Sequence, residues 1–303
     1  MKICRCLIVL LLLLSLPTLA RAETDARDYE ALVALPNRAL AAVVYYRHVS
    51  SSDTQSFSQD IGVLRAAYVL RFHNVSFVPF DAVLPVADVT VHVSPPALGG
   101  LAGALHTSGI GDFEYFPTIG YLVPEGPINH TYFAFTPYFF FPTGQYDATH
   151  PVNIGANRYG FAQELNIGQR FLKIVNVELV GNVSEYTENS NAQVAQMAAI
   201  LKGSFTQKPS GAFTAHVSVD VAPSIYLSVS YYLTIAGEQH FVSTAPPVDV
   251  KAVPQQMTQT LRFGAGVRVE RTTLVLLQYN QDVATTNGAT IGRFFGARIS
   301  HIW

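Results

Sequence analysis

The sequence predicts an all-β chain, a transmembrane antiparallel up-and-down barrel of about 12 strands. Three observations lead there. Residues 212–236 carry a strict period of two in two long arms: Phe213, Ala215, Val217, Val219 and Val221, then Ile225, Leu227, Val229, Tyr231, Leu233 and Ile235. Between them fall Thr214, His216, Ser218 and Asp220, then Tyr226, Ser228, Ser230, Tyr232 and Thr234, with Ala222-Pro223-Ser224 breaking the arms apart. Such alternation marks a strand with unlike faces. Soluble strands average about 5–6 residues and tilted membrane strands need about 9–11; these arms match the second class. Beyond residue 22 no apolar run is long enough for a spanning helix, although only 13% of residues are charged and mean hydropathy is +0.24. A chain of that kind crosses lipid as a closed barrel, where every backbone polar group is paired. Finally, the connections sort into short and long alternately, apart from a short one after strand eleven, as turns on one side of a membrane and loops on the other require.

Residues 1–22 read as a cleaved export signal: Lys2 and Arg5, an apolar run from Cys6 to Leu16, Pro17, and Ala20-Arg21-Ala22 as the cleavage sequence. Its removal takes both cysteines, Cys4 and Cys6, so the exported chain holds no thiol or disulfide. It also takes Lys2, Arg5 and Arg21 and leaves acidic residues in excess, which argues against nucleic acid as a partner. Export plus a barrel places the chain in a Gram-negative outer membrane, with outer-membrane lipid as its surroundings.

Residues 23–37 read as a periplasmic lead-in and 38–303 as the barrel. The first strand runs Arg38–Val49 and Ser50–Asp60 is a loop. The second, from Ile61, sets Leu64, Ala66, Tyr68, Leu70 and Phe72 against Arg65 and Arg71. After the turn His73-Asn74 the third strand starts at Val75, interrupted by Pro79 and Pro85, since proline suits edges, ends or bulges; a Pro- and Gly-rich loop follows to Ser108. The fourth, Gly109–Leu122, opposes Phe113, Tyr115, Ile119 and Tyr121 to Asp112, Glu114 and Thr118. The fifth carries Phe133, Phe135, Phe139 and Phe141 on one face, and the loop PTGQYDATHPVNIGAN leads to the sixth, Arg158–Arg170. A turn near Leu172-Lys173 opens the seventh, Ile174–Tyr186. Glu188–Pro209 is a long loop whose AQVAQMAAILKG suits two or three helical turns. The two arms described first are the eighth and ninth strands. The tenth is Met257–Glu270, the eleventh Thr272–Val283, and the twelfth runs from Ala289 to Trp303. Alternate positions back from Trp303 (His301, Ile299, Ala297, Phe295) suit a terminal strand presented to the outer-membrane assembly machinery.

Six stretches in order, GIGDFEYFPTIGYL (109–122), FAFTPYFFFPTGQYD (133–147), NIGANRYGFAQELNIGQRF (153–171), VELVGNVSEYTENS (177–190), YLSVSYYLTIAGE (226–238) and QYNQDVATTNG (278–288), resemble the family of outer-membrane transporters named for the meta-cleavage pathway of phenol degradation. The resemblance covers residues 35–303, departs from the family pattern at Ala192–Phe205 and Thr273–Leu277, and implies a barrel passing small, often aromatic or hydrophobic molecules. It brings no catalytic or ligand motif.

Charges on the polar face of the strands are the candidate lumen and selectivity residues: Arg65, Arg71, Asp112, Glu114, Arg158, Glu164, Arg170, Glu178, Asp220, Arg262, Arg268 and Arg298. An Arg on the lipid face at mid-membrane costs about 2–4 kcal/mol, so these must point inward. Such pairs fill and stiffen any barrel interior; as a constriction their arginine excess favours an anionic solute such as an aromatic carboxylate. Aromatics at strand ends suit an interfacial girdle or a greasy slide. No cofactor is expected. Asp147 and His150 are the nearest approach to a metal pair, and His216 with Ser218, or His301 at the membrane boundary, to a hydrolase. The expected role is passive diffusion of a small organic solute, not catalysis. The alternative is a structural or partner-binding barrel acting through Glu188–Pro209, with a membrane-boundary lipid hydrolase behind it.

Overall fold

The computed structural model describes residues 24–303 apart from 52–56, 94–102, 125–128, 151, 197–198, 245–246 and 288–290. The export signal lies outside the described residues. One short helix, α1 (Asp28–Ala34), precedes the strands. The wall begins with β1 (Ala39–Ser51), β2 (Phe57–Phe72) and β3 (Val75–Val93). Its fourth stave is broken into β4 (Gly103–Ile110), β5 (Phe113–Tyr115) and β6 (Thr118–Pro124). Then come β7 (His130–Phe141), β8 (Gly160–Phe171) and β9 (Val175–Tyr186), and after an excursion β12 (Ser210–Ala222) and β13 (Ile225–Ala236). A second excursion precedes β16 (Gln256–Glu270), β17 (Thr273–Thr285) and β18 (Gly292–Ile302). Neighbours pair antiparallel throughout, and β18 pairs with β1 from Gly292↔Ser51 to Ile302↔Ala41, which closes a 12-strand barrel and removes both sheet edges.

The two faces follow the expected period. Leu165, Leu277, Phe295, Ile299 and Val229 stand exposed on the outside. Their chain neighbours Glu164, Gln278, Phe294, Arg298 and Ser230 are buried inside. The inner wall is itself lopsided. Along β1–β3 and β7 it is largely apolar, with Tyr45, Ile61, Val63, Val83, Val89 and Tyr138 in one buried cluster. From β8 round to β18 it is polar, with Asn166, Glu178, His216, Ser218, Arg262 and Asn280 all buried.

Three expectations need correction. Pro79 does not interrupt the third strand: Tyr68 pairs with Phe80 and Leu70 with Phe77, so Pro79 sits in a bulge that absorbs its missing N–H, and β3 continues to Val93 through Pro85. The fourth stave accordingly begins at Gly103, inside the stretch read as loop. The segment 188–209 is not helical, for it is a hairpin of β10 (Asn189–Gln196) and β11 (Ala199–Gln207). With β14 (Gln239–Thr244) and β15 (Pro247–Val253) it forms a four-stranded sheet beyond the barrel. Helix propensity is overridden because β9 and β12 run on into β10 and β11, and that sheet buries Leu201, Phe205 and Phe241.

Candidate functional site

Residues 24–34, expected as a lead-in ahead of the barrel, lie within it. Helix α1 is two turns long and presents Tyr29, Leu32 and Val33 to the wall. Val33 and Tyr29 join Tyr132, Ala134 and Val180, while Leu32 joins Ala67, Val69 and Val78. The fit depends on Gly120, where a Cβ would stand 2.5 Å from Val33 Cγ1. Arg27, ahead of the helix, adopts φ 72°, a left-handed conformation that turns the chain from helix to lumen.

Ionic contacts hold this segment like a plug. Asp25 is fully buried; its Oδ1 accepts from Arg262 Nη1 at 2.5 Å and Gln278 Nε2 at 2.6 Å, and its Oδ2 from Arg298 Nη1 at 3.0 Å. Arg298 Nη1 also donates to Asp28 at 2.5 Å. Arg27 donates from Nη1 to Asp220 at 2.6 Å and from its backbone N–H to Glu178 at 2.6 Å. Arg170 bridges Glu30 and, at 2.7 Å, Asp220. Glu164 accepts from Tyr29 Oη at 2.5 Å, Tyr138 Oη at 2.9 Å and Thr24 Oγ1 at 3.2 Å. At the turn end, Arg71 donates to the Ala34 carbonyl at 3.2 Å.

Seven of the sequence candidates (Arg71, Glu164, Arg170, Glu178, Asp220, Arg262, Arg298) therefore touch the plug itself. The others do different work. Arg65 makes a two-pronged bond to buried Asp81, at 2.8 and 2.7 Å. Glu114 is buried in β5. Asp112 accepts the N–H groups of Gly144, at 2.9 Å, and Ala156, at 2.8 Å. Those bonds pin a strap, residues 142–150 and 152–157, whose Val152 and Ile154 are buried in the lumenal apolar cluster. Arg158 follows the strap and is buried near the loop end. Arg268 lies exposed at the end of β16, just before its register with β17 shifts.

Beside Thr24, Tyr29, Arg65 and Tyr138 there is a cavity of about 20 Å³, room for a single water. The plug was missed because its partners are scattered from Arg71 to Arg298. The available signal was its own composition, three carboxylates in Asp25, Asp28 and Glu30 ahead of a wall rich in arginine.

The pairs weighed for chemistry are used otherwise. His216 Nδ1 bonds Ser230 Oγ at 2.7 Å, while Ser218 Oγ accepts from Arg27 Nε at 2.7 Å. His301 Nδ1 bonds Thr273 at 2.8 Å. His150 Nδ1 meets Asp147 at 2.8 Å, and among the described residues no three His, Cys, Asp or Glu side chains gather as a metal site.

A family model described as "Putative MetA-pathway of phenol degradation" matches residues 41–299. None of the curated proteins matches the chain. Among solved structures, an outer membrane channel from Pseudomonas putida F1 is similar with a TM-score of 0.78 and 22% identity, over 93% of this chain and 100% of that one. The β domain of the Bordetella autotransporter Brka gives 0.50 at 12% identity over 88% and 100%. A mutant of the TodX monoaromatic hydrocarbon channel gives 0.50 at 9% identity over 90% and 92%. At these identities the likeness is one of fold.

Proposed function

The chain belongs to the MetA-pathway of phenol degradation family, and from that premise we propose that it is an outer-membrane channel for passive passage of small organic molecules, aromatic or hydrophobic, closed at rest by residues 24–34. The observation that carries this is the division of the inner wall. Apolar and aromatic side chains line β1–β3 and β7, where Tyr29, Leu32 and Val33 of the plug pack, and the plug's charged groups are bonded by the opposite wall. The ionic anchors can be exchanged for water or solute, so opening costs those bonds together with the apolar packing of Tyr29, Leu32 and Val33 on one short helix. The TodX channel, similar in fold, is described as a monoaromatic hydrocarbon channel, which fits the same solute class.

Export by a cleaved signal is part of the same reading. Thr24 lies beside Glu164 and its carbonyl accepts from Tyr232 Oη at 3.0 Å, midway along the wall. In this reading residues 1–22 are removed on export before the plug seats. The terminal strand, with Phe295, Ile299 and Trp303 facing out, is the element offered to the assembly machinery. Flux of benzoate at neutral pH into vesicles carrying the purified barrel with its plug loosened by Asp25→Asn, compared with empty vesicles, tests the proposal; equal rates overturn it.

The sheet of β10, β11, β14 and β15 favours a second role, a platform for a partner outside the cell. Deleting 189–207 leaves solute flux intact and abolishes surface binding if that role is real.

A further inference from the structure

Arg158 differs from every other arginine in the lumenal set. Its side chain is more than nine-tenths buried, and among the described residues no carboxylate lies in ion-pair contact with it. Nη2 donates to a neutral acceptor, Gln207 Oε1, and Nη1 is buried without a partner. The guanidinium lies 4.4 Å over the Tyr186 ring, which continues through Phe140 at 6.0 Å to Tyr138 at 6.2 Å as a run of aromatic faces into the lumen. A further buried polar atom beside its partner Gln207 has no partner: Oε1 of Gln239, whose Nε2 donates to Gln207. Burial of this charge without an ion partner is costly enough to pull its pKa below the ordinary arginine value. Its nearest carboxylate influence, Asp112, is occupied by the backbone of the strap.

An unsatisfied guanidinium edge flanked by aromatic rings matches one ligand chemistry. A planar carboxylate fills Nη1 and Nη2 together in the two-pronged geometry that neutral Gln207 does not supply. The attached ring then lies on Tyr186 and Phe140. We propose that Arg158 is the recognition residue for the carboxylate of a small aromatic acid, which reaches it when the strap lifts from Asp112. Gln207, displaced from Nη2, keeps its bonds to Gln239 Nε2 at 3.3 Å and Ser210 Oγ at 3.0 Å, so the exchange satisfies Nη1 and leaves fewer buried polar atoms unsatisfied than before. This inference rests on the channel reading and gives it a solute class.

The test is equilibrium binding of radiolabelled benzoate, and separately of benzyl alcohol, to the purified folded barrel and to Arg158→Gln and Arg158→Lys. Folding of each variant is checked by its faster migration in unheated gels. The expected result is benzoate binding weakened about tenfold or more in Arg158→Gln, partly retained in Arg158→Lys, with benzyl alcohol weak and indifferent to both. Equal benzoate binding by folded wild type and Arg158→Gln, or benzyl alcohol bound as well as benzoate, overturns the site. Vesicle flux separates the two ideas. Arg158-dependent binding without flux removes the channel and keeps the site; flux of benzoate with no Arg158-dependent binding removes the site and keeps the channel.

Discussion

Replacing Asp25 by asparagine should unseat the plug. The side chain keeps its volume, but it loses its charge and points an NH2 group at two arginines. Asp25 is held by Arg262, Arg298 and Gln278 at 2.5, 3.0 and 2.6 Å in a place with no solvent exposure. Breaking a buried pair by removing one partner costs about 3–5 kcal/mol. Here the lower end applies, because both arginines keep other contacts. Arg298 retains Asp28 at 2.5 Å, and Arg262 retains Asn280 at 2.6 Å and the Tyr232 ring at 4.2 Å. About 3 kcal/mol corresponds to roughly a hundredfold more time unseated.

Both native cysteines lie in the first six residues, so a Thr24→Cys variant places a reporter thiol on the plug. With opening fast against modification, the maleimide labelling rate follows the open fraction. Asp25→Asn in that background should label about a hundredfold faster, with channel conductance rising in parallel. An unchanged labelling rate in a folded barrel would refute the claim that this carboxylate anchors the plug. Combining Asp25→Asn with Arg262→Met should cost less than the two changes separately, since each removes the same interaction.

Gly120→Ala places a methyl 2.5 Å from Val33 Cγ1. Overpacking of about 1–3 kcal/mol should loosen the plug in the labelling assay, and Val33→Ala should restore it. Glu238, in the turn between β13 and β14, is held at a pKa of about 2 by Lys251, His240 and Lys208, which bond its charged form. A depressed carboxylate stabilises the fold above its ordinary range, and that contribution is lost as the pH falls toward about 2. Proteolysis of the outer hairpins should therefore rise on acidification, and in Glu238→Gln that acid dependence should shrink while cleavage at neutral pH increases.

Much of the wall was legible because burial on one face and lipid on the other impose a period of two, and each strand carries it independently of its neighbours. Leu165 outside and Glu164 inside follow from parity alone. β3 was harder, since the bulge that accommodates Pro79 is a property of its pairing with Tyr68 and Leu70, not of its own residues. The hairpin at 189–207 was harder still: Ala, Gln and Met there carry helical preference, and the decision comes from β9 and β12 beneath it. For the lumen, direction was readable and partnership was not. Parity put Arg262, Arg298 and Arg158 inside, but nothing local says that the first two share Asp25 while the third has no carboxylate in ion-pair contact among the described residues.

The charge balance explains why the plug is acidic and what its departure does. The twelve sequence candidates comprise seven arginines and five carboxylates, whereas residues 24–34 bring three carboxylates and one arginine. Among these groups the lumen is neutral only with the plug seated. Lifting it exposes Arg262, Arg298 and Arg170 without their Asp25, Asp28 and Glu30 partners. Fixed charge of one sign on a narrow low-dielectric wall draws counter-ions into the lumen. The open channel should thus prefer anions, as a route for aromatic acids needs. Reversal potentials of Asp25→Asn across a potassium chloride gradient measure this directly. A potential on the chloride side supports the account; one on the potassium side would mean that the plug's carboxylates stay in the pore when it opens, and that seating, not charge neutralisation, is their role.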